Sequence, residues 1–274
     1  MATQSVTSSN FTKIYHTAPY PTISPTRPEL SQAGRTVLVT GASMGIGRAI
    51  ARNFALAHAE TVVLVARNLD TLKATLAELQ QAAIAANSPT KYLAHQADIS
   101  DPTAVASLFT WLATSGIAVD VLINNAAVLS EMRSILDQGA EKIWSQFEGN
   151  VHGPLLLIDA FYKQPLLTNK QKYLVHISTQ AIHMTSHPIV RAFPSYCLTK
   201  QAGTLLMQML ALEVDPAQMQ IVSVHPGVIF NHAWASAPEE ARPKFDDENL
   251  PGQYAVWAAS EEARFLHGRF VWAA

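Results

Sequence analysis

The sequence predicts an α/β fold built on one doubly wound, parallel sheet with helices on both faces. Three observations carry that expectation. Short β-branched runs such as Thr36–Thr40 (TVLVT) and Thr61–Ala66 (TVVLVA) are apolar without polar alternation, the pattern of strands buried on both faces. Helical stretches of ten or more residues separate these runs, which is how parallel strands are connected. After residue 35 there is no linker, repeat or composition break, so a single domain is the economical reading.

The elements follow in order. Residues 1–34, with prolines at 19, 21, 25 and 28, read as an extended N-terminal arm. A disordered tail is the alternative, while Phe11, Tyr15 and Tyr20 favour a segment lying on the domain or on a partner subunit. From Thr36 the first strand leads through a glycine-bearing turn into an apolar helical stripe, Ile46, Ile50, Phe54 and Ala57. The second strand precedes a helix over Leu69–Ala86. Tyr92–His95, Val119–Ile123, Tyr173–Ile177, Gln220–Val224 and Arg269–Trp272 are the remaining strand candidates. Helices are expected near Thr103–Ala113, Ala140–Tyr162 and Tyr196–Val214.

Composition narrows the function classes. Of 274 residues, 49% are apolar and 15% charged, ample for a large core. A net charge of −2 with no basic run argues against nucleic acid, which needs a concentrated Lys/Arg surface. Residues 1–30 lack the apolar core of a signal peptide, and no apolar run approaches the ~20 residues of a membrane span. The lone Cys197 fits a reducing compartment. A soluble, cytoplasmic protein without membrane partners is the expectation. His176, His183, His187 and His225 lack the tight ligand spacing of a metal site, so no metal is expected.

Two local patterns carry chemistry. Between the first strand and its helix stands Thr40-Gly41-Ala42-Ser43-Met44-Gly45-Ile46-Gly47, with spacing G-x-x-x-G-x-G. Glycines there permit a tight turn and let the backbone approach a pyrophosphate at the helix N-terminus, where unpaired N–H groups favour anions. Further on, Tyr196 and Lys200 lie four residues apart at the start of a helix, and so share one face. None of the other six tyrosines has a lysine four residues on. A phenol of pKa near 10 is a poor proton shuttle at neutral pH, and a neighbouring ammonium lowers that pKa.

TGASMGIG resembles the T-G-x-x-x-G-I-G signature of the short-chain dehydrogenases/reductases, and the later motifs occur in that family's order across roughly residues 35–273. The resemblance implies a Rossmann-type sheet of about seven strands, order 3-2-1-4-5-6-7, and a nicotinamide cofactor. Gly41, Ser43, Met44, Ile46 and Gly47 would border its phosphates and adenosine ribose. At the end of the second strand, Ala66 replaces the acid that bonds a free 2′-hydroxyl, and Arg67 follows, which favours NADP(H) over NAD(H). Asp98-Ile99 resembles the pair contacting adenine, and Asn125 and Ala126 lie in a variant of the N-N-A-G turn with Ala127 in place of glycine. Pro226, Gly227 and Ile229 resemble the turn beside the nicotinamide amide, with Asn231 where threonine is common.

By the same resemblance Tyr196 is the proton donor and acceptor. Lys200 tunes it and holds the nicotinamide ribose, and Asn150, within N-x-x-G, supports a proton relay. Thr179 falls where the catalytic serine stands, with Ser178 the fallback if the register is shifted by one. The span from Thr179 to Tyr196 exceeds the usual spacing by about four residues. His183, Met184, His187 and Phe193 within it are candidate substrate-pocket lining, and residues 229–250 stand where the family has a substrate lid. The terminal segments are similar to those of fungal NADP(H)-dependent reductases, many linked to secondary metabolism. The expectation is a carbonyl/alcohol oxidoreductase acting on a small, hydrophobic substrate as a homodimer or homotetramer. A dehydratase, epimerase or imine reductase, or a drifted nucleotide-binding scaffold, stays open.

Overall fold

The computed structural model describes residues 14–129, 131–164, 170–231, 234 and 239–274. Phe11, part of the N-terminal arm and part of the expected lid (232–233 and 235–238) lie outside the described residues. Seven parallel strands form one sheet in the order β3-β2-β1-β4-β5-β6-β7. They are β1 (Thr36–Thr40), β2 (Thr61–Ala66), β3 (Lys91–Gln96), β4 (Val121–Asn124), β5 (Lys172–Ile177), β6 (Met219–His225) and β7 (Phe270–Trp272). The expected fold class and strand order are what the chain adopts. The order reverses beside β1, where β2 flanks it on one side and β4 on the other. Open α/β sheets bind ligands beyond the carboxyl ends of their strands at such a switch point.

Two apolar layers sandwich the sheet. On one face, α1 (Gly45–Leu56), α2 (Leu69–Ala85) and α9 (Asn249–Ala258) cover a core containing Val37, Phe54, Leu64, Tyr173 and Val222. On the other, α3 (Pro102–Thr114), α6 (Gly153–Lys163) and α8 (Pro194–Glu213) cover Leu38, Val63, Leu122, Leu174 and Ile221. Alternate strand residues supply the two layers, as the pleat demands. The described part of the N-terminal segment joins the first layer. Ile23 and Leu30 are wholly buried there, each contributing about 1.5–3 kcal/mol of apolar burial.

Element ends differ from the sequence-based expectation by a residue or two. The larger difference is the helix expected over 140–162. It is three pieces: α5 (Ala140–Phe147), a π turn over Glu148–His152, and α6. Pro154 accounts for the break, because it has no N–H to donate to the Asn150 carbonyl and its ring crowds that carbonyl. Gly149 and Gly153 permit the distorted turn to press close. A Cβ on Gly149 would lie 2.6 Å from Val128 Cγ2, and one on Gly153 2.8 Å from the Ile99 carbonyl oxygen.

Candidate active site

The glycine turn is built by close approach. Gly41 and Gly45 have φ of +64° and +52°, which favours glycine at both. A Cβ on Gly47 would stand 2.3 Å from the Gly41 carbonyl oxygen. Thr40 locks the neighbouring turn to it: its Oγ1 accepts from the amides of Asn125 and Ala126, at 3.0 Å each. Asn125 Nδ2 returns a bond of 2.8 Å to the Thr40 carbonyl. The three strand-to-helix turns at this edge are not alike. Asn68 caps α2 and Asp101 caps α3 with their side chains, whereas Met44 gives α1 no side-chain cap and α1 has no acid in its first turn. The α1 amides are thereby left for an anion, which fits a cofactor pyrophosphate.

The adenosine end is equally specific. Arg67 is well exposed and reaches Asp98 only loosely, 3.9 Å between Nη1 and Oδ2. Burial pushes the Asp98 carboxyl up, but the Ser100 hydroxyl and amide outweigh it and hold the pKa below the ordinary value. Asp98 is therefore a carboxylate, and the guanidinium beside it remains available to a second anion. Ile99, the next residue, is buried.

At the reaction end, Tyr196 and Lys200 project from the first turns of α8. Lys200 is buried and donates to the Ile177 carbonyl at 2.8 Å, and its Nζ lies 5.9 Å from the Tyr196 ring centre. Burial lowers the lysine pKa to about 8. Burial first, and the adjacent Cys197 second, push the Tyr196 phenol up to about 12. Asn150 sits in the π turn and is fully engaged. Its Oδ1 accepts from the Val128 amide at 2.7 Å, and its Nδ2 donates to the Val128 carbonyl and to Thr199 Oγ1, both at 2.9 Å. It thus ties the loop after β4 to the turn of α8 that carries Lys200.

The two candidate hydroxyls after β5 separate cleanly. Ser178 Oγ is buried against Thr204 Oγ1 at 2.5 Å, and Thr204 in turn donates to the Lys200 carbonyl, so Ser178 belongs to the joint between sheet and helix. Thr179 keeps partial exposure, and its Oγ1 takes only a long bond of 3.3 Å from the Ala181 amide. The sequence reading missed one neighbour. His176 points between β5 and α8, bonded through Nδ1 to Asn124 at 3.0 Å, with no partner for Nε2 among the described residues. Burial, then the Lys200 charge, lowers its pKa to about 3, so it stays neutral. The strand register placing Asn124 opposite His176 is what brings them together.

A cavity of about 420 Å³ is lined by His183, Met184, Thr185, Ser186, His187 and Pro188; His183, Met184 and His187 were expected pocket lining, Phe193 is not part of it, and neither are Thr179, Tyr196 and Lys200. A larger groove of about 480 Å³ is lined by Cys197, Leu198 and Gln201 of α8, and its lining also includes neither Tyr196 nor Lys200. Cys197 itself is packed, donating to the Ala181 carbonyl. Pro226 and Gly227 follow β6, Gly227 at φ +96°, with Ile229 buried and Asn231 at the surface.

The sequence and the fold are matched by known proteins. The family model described as short chain dehydrogenase covers residues 35–241. The chain is 32% identical over 266 residues to the short chain dehydrogenase/reductase nsrO of Aspergillus novofumigatus, covering 96% of this chain and 87% of that protein. It is 30% identical over 264 residues to the short chain dehydrogenase pigC of Monascus ruber, covering 95% and 84%. Among solved structures, L-sorbose reductase from Gluconobacter frateurii complexed with NADPH and L-sorbose aligns with a TM-score of 0.75 at 22% identity, over 89% of this chain and 96% of that one. The Pseudomonas aeruginosa RhlG/NADP complex aligns with a TM-score of 0.77 at 20% identity, over 90% and 97%. With the glycine turn, the sheet order and the fungal relatives in agreement, the chain belongs to the short-chain dehydrogenase/reductase family of nicotinamide-dependent oxidoreductases.

Proposed function

We propose that the chain uses NADP(H) to interconvert a carbonyl and an alcohol on a small, hydrophobic substrate, with Tyr196 as general acid and base. The observation that carries this reading is the pairing of Tyr196 with a buried Lys200 whose ammonium is held on the Ile177 carbonyl, two residues before the partly exposed Thr179. When bound, the nicotinamide supplies or accepts the hydride. Gly41, Ser43, Met44, Ile46 and Gly47 hold the phosphates and ribose, with Arg67 on the 2′-phosphate and Asp98 and Ile99 at the adenine. Asn125, Ala126, Pro226, Gly227, Ile229 and Asn231 line the rest. In reduction, the Thr179 hydroxyl donates to the carbonyl oxygen and Tyr196 delivers the proton to it. Lys200, its pKa already depressed, resupplies that proton, and Asn150 holds the lysine's turn of α8 in place. Trp144 on α5 and Leu205, Met209 and Leu212 on α8 are exposed apolar side chains, which supports self-association through these faces.

The cofactor assignment is tested by thermal shift with NADPH and NADH side by side, since ligand binding raises stability by RT ln(1 + [L]/Kd). NADPH is expected to bind tighter. Arg67→Glu should shrink that preference about 10- to 100-fold, the worth of a hydrogen bond to a charged group. An unchanged ratio overturns the Arg67 assignment. The hydroxyl assignment is tested by two alanines. Thr179→Ala should lower kcat/KM about 10²- to 10³-fold, the scale of one lost oxyanion donor, with stability unmoved. Ser178→Ala should instead cost roughly 1–2 kcal/mol of stability and retain turnover. The reverse outcome would transfer the role to Ser178.

A further inference from the structure

Val228 and Asp246 stand 18 residues apart and meet twice. The Val228 amide donates to Asp246 Oδ2 at 2.7 Å, and the Asp246 amide donates to the Val228 carbonyl at 2.8 Å. Together they close the neck of the segment holding Phe230, Trp234 and Phe245, whose rings contact one another. The same Oδ2 accepts a second bond from a distant part of the chain, the Tyr15 hydroxyl at 2.7 Å. Beside it the Asp247 amide donates to the Thr17 carbonyl at 2.8 Å. Asp246 is 6% exposed, and a buried carboxylate needs its donors. Its Oδ2 lies so close to the nicotinamide-side turn that a Cβ on Gly227 would stand 2.8 Å away.

Neighbouring contacts make the junction rigid on its far side. Arg52 on α1 bonds Glu248 Oε1 at 3.2 Å and Asn249 Oδ1 at 2.7 Å, and Asn53 reaches the same Asn249 oxygen at 3.2 Å. On the near side, toward residues 226–231, the neck is fastened from outside its own segment by Tyr15. Burial, then the bond to Asp246, holds the Tyr15 phenol above its ordinary pKa, so it stays a donor through the neutral range.

We propose that Tyr15 is a positioning residue for cofactor binding: through Asp246 it latches the segment preceding β1 to the Val228–Asp246 junction and sets the Pro226–Asn231 turn. The proposal rests on reading that turn as the nicotinamide side of the site. A loop held in its binding-competent form for only part of the time weakens affinity by that fraction. Losing the latch should therefore act on cofactor KM and spare the chemistry on α8.

The experiment uses the full chain and four variants, Tyr15→Phe, Asp246→Ala, the double of these two, and Asp246→Asn. The readouts are KM for NADPH, kcat, and amide hydrogen exchange over residues 226–231. Tyr15→Phe keeps the ring and its packing, and should raise KM for NADPH about fivefold with kcat within about twofold, and speed exchange at Val228. Because Tyr15 acts through Asp246, adding Tyr15→Phe to Asp246→Ala should change nothing further. Asp246→Asn, which keeps an acceptor for the Val228 amide, should restore much of the affinity lost in Asp246→Ala. Unaltered KM and unaltered exchange in Tyr15→Phe, or effects of the two single variants that simply multiply, overturn the proposal. Were the wild-type protein not to bind NADPH, the cofactor reading would fail by itself, and exchange at Val228 would still decide the latch.

Discussion

Tyr196→Phe is expected to lower turnover about a thousandfold while NADPH binding and folded stability stay intact. Positioned acid–base catalysis contributes roughly 10²- to 10⁴-fold, and here the phenol is the only group proposed to meet the substrate oxygen with a transferable proton. The substitution is unusually clean. Among the described residues the Tyr196 hydroxyl makes no hydrogen bond, so removing it orphans nothing, and the ring keeps its place in α8. Stability should move by less than about 0.5 kcal/mol. In the free protein burial holds this phenol near 12 and the lysine near 8. The pair is thus poised with the proton on oxygen and a lysine that releases its own readily. Steady-state turnover measured beside an NADPH thermal shift decides the matter. Lost turnover with binding retained supports the assignment and removes the scaffold alternative. Turnover within tenfold of wild type would move the proton to another group.

Gly47→Ala should be the most damaging single methyl group in the chain. The added carbon would lie 2.3 Å from the Gly41 carbonyl oxygen and 2.7 Å from Asn125 Nδ2. Neither neighbour is a flexible side-chain end free to swing. Gly41 lies in the turn after β1, and Asn125 is held by three bonds to Thr40 and Gly41. Overpacking of this kind costs about 1–3 kcal/mol or more, so a fall in Tm on the order of 6–12 °C is expected at the upper end. The displaced α1 amides should also abolish the NADPH-induced thermal shift. A variant with wild-type Tm and wild-type NADPH binding would show that the turn yields, contrary to the contacts observed.

Much of the fold was legible because the signals are local. The Thr36–Thr40 and Thr61–Ala66 runs are strands at the expected residues, and the helix after each begins where the turn chemistry says it should. The helix around Asn150 shows where local reasoning was too coarse. Periodicity over 140–162 is helical throughout, and the interruption is written in Pro154, four residues after Asn150, a signal that was present but outweighed by the apolar pattern. The pair Ser178 and Thr179 shows a different limit. Both carry the same hydroxyl, and only the packing of Thr204 against β5 assigns one to the interior.

By itself, then, the sequence determined the layered sheet, the glycine turn and the face shared by Tyr196 and Lys200. Each of these depends on residues within a few positions of one another and on periodicities of 2 and 3.6. The tertiary structure alone decided the depressed lysine pKa, the neutral His176 bonded to Asn124, and the meeting of Tyr15 with Asp246 across 231 residues. Burial, strand register and long-range hydrogen bonding arise when distant segments exclude water together, and no window of sequence contains that information.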